Sequence, residues 1–133
     1  NKYNNVKTKT EPWGIIARKL LEEGAINVNK QSGSGATALS WACWNNQTTE
    51  VRILLGKGAN INTKDNKGNT PLMYACENNS VQVVEHLVFN VRGIDFYASN
   101  DKSQLAINLC SKPYLREIIK DRMTTESREK RVP

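Results

Sequence analysis

Apolar residues fall in short bursts separated by polar stretches rich in glycine and asparagine, and the bursts have helical spacing. Leu72, Ala75 and Cys76 stand at i, i+3 and i+4, which lays one apolar stripe along a helix. Thr70 and Pro71 mark its start, since the hydroxyl caps orphan amides and proline is tolerated in the first turn. Asn78 and Asn79 end it, because asparagine accepts a left-handed backbone better than most residues. A second stripe follows at once: Val81, Val84, Leu87, Val88, with Val51, Leu54 and Leu55 as its upstream counterpart. Gly56-Lys57-Gly58 stops the upstream helix, and "ANINTKDNKGNT" reads as an extended turn before the next capping threonine. The predicted unit is helix, tight turn, helix, protruding turn.

The unit recurs. Gly35, Thr37, Leu39, Ala42 and Cys43 reappear as Gly68, Thr70, Leu72, Ala75 and Cys76, each 33 residues on. A fixed period of this size signals a stacked repeat. "GNTPLMYACENNSVQVVEHLV" and "LLGKGANINTKDNKGNTPL" resemble ankyrin repeats in the T-P-L start, the alanine on the first helix and the L-L-x-x-G-A-x-x-N run. The resemblance is strong over residues 35–88. It reaches back through "ARKLLEEGAINVN" (17–29) as the second helix and turn of a preceding unit, and forward, weakly, through 102–120. It implies an all-α solenoid of helix-turn-helix units with protruding hairpin fingers and a concave binding face. It also implies a role in holding other proteins, with no chemistry of its own.

The expected organisation is one repeat domain over 1–123: a partial repeat from about 12 to 34, full repeats 35–67 and 68–101, and an atypical capping repeat 102–123. Residues 124–133, which have no apolar stripe, read as a polar basic tail or a frayed helix end. Two departures stand out. Val91-Arg92 replaces Gly58-Ala59, which predicts a distorted third finger. "SQLAINLC" replaces the T-P-L start, and Pro113 follows Cys110 closely, which predicts a shortened inter-helix turn. Terminal repeats depart from the pattern because their outer face meets water. Lys120, Asp121 and Arg122 are expected on that wet side, and "NKYNNVK" with Trp13 is a candidate cover for the opposite end.

Composition changes this picture little. The chain has 133 residues and a net charge of +6, but the excess lies at the ends. Residues 1–34 carry six basic and three acidic side chains, 35–100 five of each, and 101–133 eight and five. No apolar run approaches ~20 residues, so no segment reads as a membrane span. The chain starts at Asn1 with no signal-like segment, which suggests a fragment of a longer protein. Three cysteines without close pairs point to a reducing, intracellular setting, cytoplasmic or nuclear, or the host cytosol for a secreted effector.

Candidate chemistry is sparse. The one histidine, His86, has no nucleophile that sequence places beside it. Gly33 and Gly35 in "SGSGAT" have no preceding strand and no lysine in register, so they read as a finger turn rather than a phosphate loop. Cys43, Cys76 and Cys110, spaced 33 and 34 apart, read as one repeated position of buried spacers, too far apart for a disulfide or shared metal. No enzyme activity, metal or cofactor is expected.

The tryptophans differ. With Leu39 at zero on a wheel turning ~100° per residue, Trp41 falls near ~200° and Trp44 near ~140°. Both face away from the stacking stripe, and Tyr74 repeats the position of Trp41. They are either packing for neighbouring helices and fingers or an aromatic patch on the concave face, of the kind enriched at interface hot spots. The ankyrin resemblance places targets on the finger turns and first helices. Carried across, it marks Ser34, Ala36, Trp41, Trp44 and Asn45; then Asn66, Lys67, Asn69, Tyr74, Glu77 and Asn78; and in the last unit Asp101, Ser103 and Asn108. The expected function of this monomer is protein or peptide recognition. Two alternatives stand beside it. In one, the basic ends (Lys2, Lys7, Lys9; Arg128, Lys130, Arg131) hold nucleic acid or lipid in a salt-dependent way. In the other, the chain is a non-catalytic targeting domain or spacer of a larger enzyme or host-directed effector.

Overall fold

The computed structural model describes residues 27–131, with side chains through Ser127. The second helix expected for the preceding unit, the cover built on Trp13, and the basic side chains at both ends lie outside these residues. Every regular element within them is helical: α1 (Ala38–Trp44), α2 (Thr48–Gly56), α3 (Pro71–Glu77), α4 (Val81–Asn90), α5 (Ala106–Leu109) and α6 (Pro113–Arg131). The inner helices α1, α3 and α5 stack in one row, and α2, α4 and α6 in a second row behind them.

Local chemistry sets each boundary. Thr37 and Thr70 cap α1 and α3, accepting from the amides of Ser40 and Met73 at 3.2 and 3.3 Å. Asn46 and Asn79 take left-handed φ values of 56° and 53° just past these helices and turn the chain into the outer row. Asn46 also works across the stack: its Oδ1 accepts from Val83 N at 3.1 Å, so one repeat caps the outer helix of the next. Between the rows lies the core. Leu39, Ala42, Cys43, Leu72, Ala75 and Cys76 are buried from the inner row, facing Val51, Leu54, Val84 and Leu87 from the outer. Small alanine and cysteine side chains let consecutive inner helices approach while the leucines fill the gaps.

The fingers stack by a repeated hydrogen-bond scheme. At the base, Asn29 accepts from Asn60 N at 2.7 Å and donates to Gly58 O at 3.2 Å. Asn62 does the same one unit on, accepting from Asp95 N at 2.9 Å and donating to Gly93 O at 2.8 Å. Tyr97 stands next in the series and is exposed, its hydroxyl 3.4 Å from Ser127 Oγ. At the tips, Asn66 N donates to Ser34 O at 3.0 Å and Asp101 N to Lys67 O at 2.9 Å. Two glycines make that approach possible. Gly35 and Gly68 sit at φ +83° and +80°, and a Cβ on Gly35 would lie 2.7 Å from Asn66 N.

These bonds fix the register of the last repeat and correct its sequence alignment. Ser32, Asp65 and Asn100 occupy equivalent finger positions, so the second interval is 35 residues rather than 34. Two extra residues precede the third finger, where Val91 leaves α4 with extended backbone and Gly93 takes the positive φ of Gly58. Ser103 therefore holds the position of Gly35 and Gly68, at φ +59°. Cys110 replaces Ala75, not Cys76. The shortening predicted for the turn falls on α5, which ends at Leu109 with Cys110 as its cap. Cys110 Sγ donates to Ala106 O at 3.6 Å, and its thiol interacts with that of Cys76. That contact, with burial, pushes the Cys76 thiol up, while it and the Arg116 charge draw Cys110 down. All three cysteines are free and buried.

Residues 124–131, expected as a frayed helix end or a tail, continue α6. Thr124 and Thr125 bond back to the carbonyls of Lys120 and Asp121, and Arg122 pairs with Glu126 at 3.3 Å. Arg122 is not on a wet side: its guanidinium donates to Val88 O and lies 5.9 Å from the Phe96 ring centroid. Leu115 and Ile119 are fully buried against α4, so α6 closes the outer row.

Candidate functional site

The inner helices and the finger tips enclose a groove of about 590 Å³. Its floor is aromatic. Trp41 and Trp44 from α1 meet Tyr74 from α3 edge to face, with ring centroids 6.4 and 6.2 Å apart and planes at 85° and 79°. The wheel argument holds here: with Leu39 and Cys43 turned into the core, residues 41 and 44 emerge on the concave side, half-buried. Tyr74 is held by its hydroxyl, which donates to Asp65 Oδ2 at 2.6 Å. Burial, this bond and the charges of Asp65 and Glu77 push the phenol above its usual range. Asp65 is fixed in turn, its Oδ1 accepting from Lys67 N and Asn69 N at 2.9 and 2.8 Å. One carboxylate thus builds the finger turn and orients the aromatic floor.

Nine of the sequence-marked residues line this groove: Ser34, Trp41, Trp44, Asn66, Lys67, Asn69, Tyr74, Glu77 and Asp101. Five do not. Ala36 is only 2 % exposed and belongs to the finger base. Asn45 and Asn78 turn back onto the backbone, donating to Trp41 O at 2.9 Å and Trp44 O at 2.8 Å, so they hold the tryptophan helix in place. Ser103 and Asn108 were placed by the one-residue slip. Ser103 is the tight-turn residue, and Asn108 Oδ1 caps the start of α5 by accepting from Leu105 N at 2.8 Å.

The same correction supplies residues that sequence reading missed. Leu109 takes the place of Trp41 and Tyr74, and Lys102 and Gln104 the places of Lys67 and Asn69; all three line the groove. Asp65 and Asn100 line it as well. The signal for Asp65 was available, since an aspartate three residues before a turn glycine accepts from the turn amides; for Asn100 it was hidden, because Ser103 stands where the glycine would be.

A family model for ankyrin repeats, in three copies, matches residues 14–100. The chain belongs to the ankyrin repeat family. Members are in general modules for protein–protein interaction and typically non-catalytic. A solved structure with the same fold is the crystal structure of the ankyrin repeat domain of Bcl-3, described as a unique member of the IkappaB protein family. It aligns with a TM-score of 0.70 at 22 % identity, over 81 % of this chain and 50 % of that one. The chain thus spans half the length of that ankyrin domain. No curated protein sequence matches.

Other chemistry is limited among the described residues. No group of three or more metal-binding side chains converges, and no helix is long and apolar enough to cross a membrane. His86 lies on the outer row, where burial and Arg52 lower its pKa and its Nδ1 sits 3.4 Å from Asn90 Nδ2. It is on the opposite side of the ankyrin stack from the aromatic groove, beside Arg52 and Arg92 in a shallow hollow between α2 and α4.

Proposed function

We propose that the chain is a recognition module that holds a partner protein or peptide in the concave groove. One observation carries this reading: side chains that differ between otherwise repeated units converge on one surface. Trp41, Trp44, Tyr74 and Leu109 rise from successive inner helices, with Ser34, Asn66, Lys67, Asn69 and Asp101 along the finger edge. Partly exposed aromatic area beside polar groups at the rim is the anatomy of a binding hot spot, and the stacked helices beneath hold it rigid. The test is affinity capture with wild type and Trp41→Ala/Tyr74→Ala in parallel, with folding monitored by circular dichroism. Loss of the captured protein in the folded double variant supports the groove. Retention places the site elsewhere. Binding that disappears between low and physiological salt points instead to the basic ends.

A further inference from the structure

We infer that the groove takes an arginine side chain of an extended peptide, seated on the Trp41–Trp44–Tyr74 floor against the carboxylates of Asp65 and Glu77. This deepens the proposed function and rests on the groove being the partner site.

The floor supplies π surface from three rings at near right angles, which attracts a cation electrostatically. The charge beside it is negative. Asp65 is hydrogen-bonded to the Tyr74 hydroxyl, and Glu77 lies on the same helix face three residues further on. The two charges that act on the phenol are both carboxylates. Glu77 makes no hydrogen bond or ion pair with another described residue, so its acceptor capacity faces the groove. The lysines of the groove, Lys67 and Lys102, sit at the exposed finger tips. They disfavour a run of basic residues and leave room for one cation at the base.

Guanidinium suits this corner better than ammonium. It is planar and stacks on indole, it is more weakly hydrated and so tolerates a half-buried floor, and its fork of donors matches a carboxylate. Its aliphatic stem would cross the apolar edge formed with Leu109.

The test is selection of a random peptide display library on the full chain, with Trp41→Ala/Tyr74→Ala as the counter-target. One arginine enriched at a fixed position is expected. A synthetic copy of the winning peptide should lose affinity by ~10-fold or more when that arginine becomes citrulline, its neutral near-isostere. Glu77→Gln, an exposed change that spares the core, should give a loss of similar size. Peptides that need the groove but carry a lysine, apolar or acidic anchor overturn the arginine assignment and leave the groove standing. So does equal binding of the citrulline peptide. Peptides that bind the counter-target equally, or no enriched peptide, overturn both.

Discussion

Gly35→Ala probes the contact that joins one finger to the next. Two costs add. At φ +83° an alanine pays the left-handed backbone penalty, about 1–2 kcal/mol. Its Cβ also meets Asn66 N and Oδ1 at 2.7 Å and the Asp65 carbonyl carbon at 3.0 Å, so the second finger has to move. That movement puts at risk the bonds from Asn66 N to Ser34 O and from Asn66 Nδ2 to Gly33 O, at 3.0 and 2.8 Å. Exposed bonds of this kind contribute about 0.5–1 kcal/mol each. Alanine recovers about 0.4–1 kcal/mol by restricting the unfolded chain. The net loss is about 2–3 kcal/mol. Gly58→Ala is the matched control: its φ is +92°, but nothing lies within 4 Å of the added carbon, so it bears the backbone cost alone, about 1 kcal/mol net. Gly68→Ala falls between, with its nearest atom, Asn100 Cα, at 3.0 Å. Equilibrium urea unfolding of the three variants gives the series directly. Equal losses at Gly35 and Gly58 would refute the claim that finger contact stabilises the stack.

Ser103→Gly relieves the same backbone strain in the third finger, at φ +59°, and should raise stability by about 0.5–1 kcal/mol in the same assay, against the entropy cost of glycine. Burial raises the Tyr74 phenol above its ordinary 10.0 and the Cys43 thiol above its ordinary 9.0. A raised folded pKa gives stability that is present below the unfolded value and lost as pH climbs past it. Unfolding free energy should therefore fall from pH 9 upward, and Tyr74→Phe should flatten the part of that slope above pH 10; an unchanged slope would sink the assignment. Thiol labelling of the native protein should leave Cys43 and Cys76 unreacted on the timescale at which a denatured sample labels fully, since both are completely buried. Rapid labelling of Cys43 would mean that the inner row opens locally.

The fold was readable because its framework is written in strong local signals. Thr37 and Thr70 cap, Leu39 and Leu72 define the stripe, Ala and Cys set the stacking distance, and glycine makes the fingers. Each restricts the backbone or the packing without help from distant residues. The groove was half readable for the same reason: once Leu39 fixes the phase of α1, the direction of Trp41 and Trp44 follows. The last repeat misled because the cysteine spacing of 34 mimicked the period. The real insertion lies at Val91 and Arg92, where extended backbone leaves no periodic mark. Leu105 has no hydroxyl to flag the helix start, and Ser103 carries a glycine conformation under a serine side chain. The continuation of α6 was unreadable from apolar periodicity, because polar residues such as Thr124, Thr125 and Glu126 are held by bonds within the helix.

The paired asparagines at the finger bases have a consequence for how such an array grows. Asn29 and Asn62 are connectors, each accepting from and donating to the backbone of the finger that follows. Tyr97 has no side-chain amide to do the same, and its hydroxyl lies 3.4 Å from Ser127 Oγ of α6. Duplicated units can therefore be spliced in ahead of Val91, where the connectors match, but not joined behind Tyr97 without restoring an amide there and shortening α6. The stack is extensible from within, while Tyr97 and the long α6 together close its third finger.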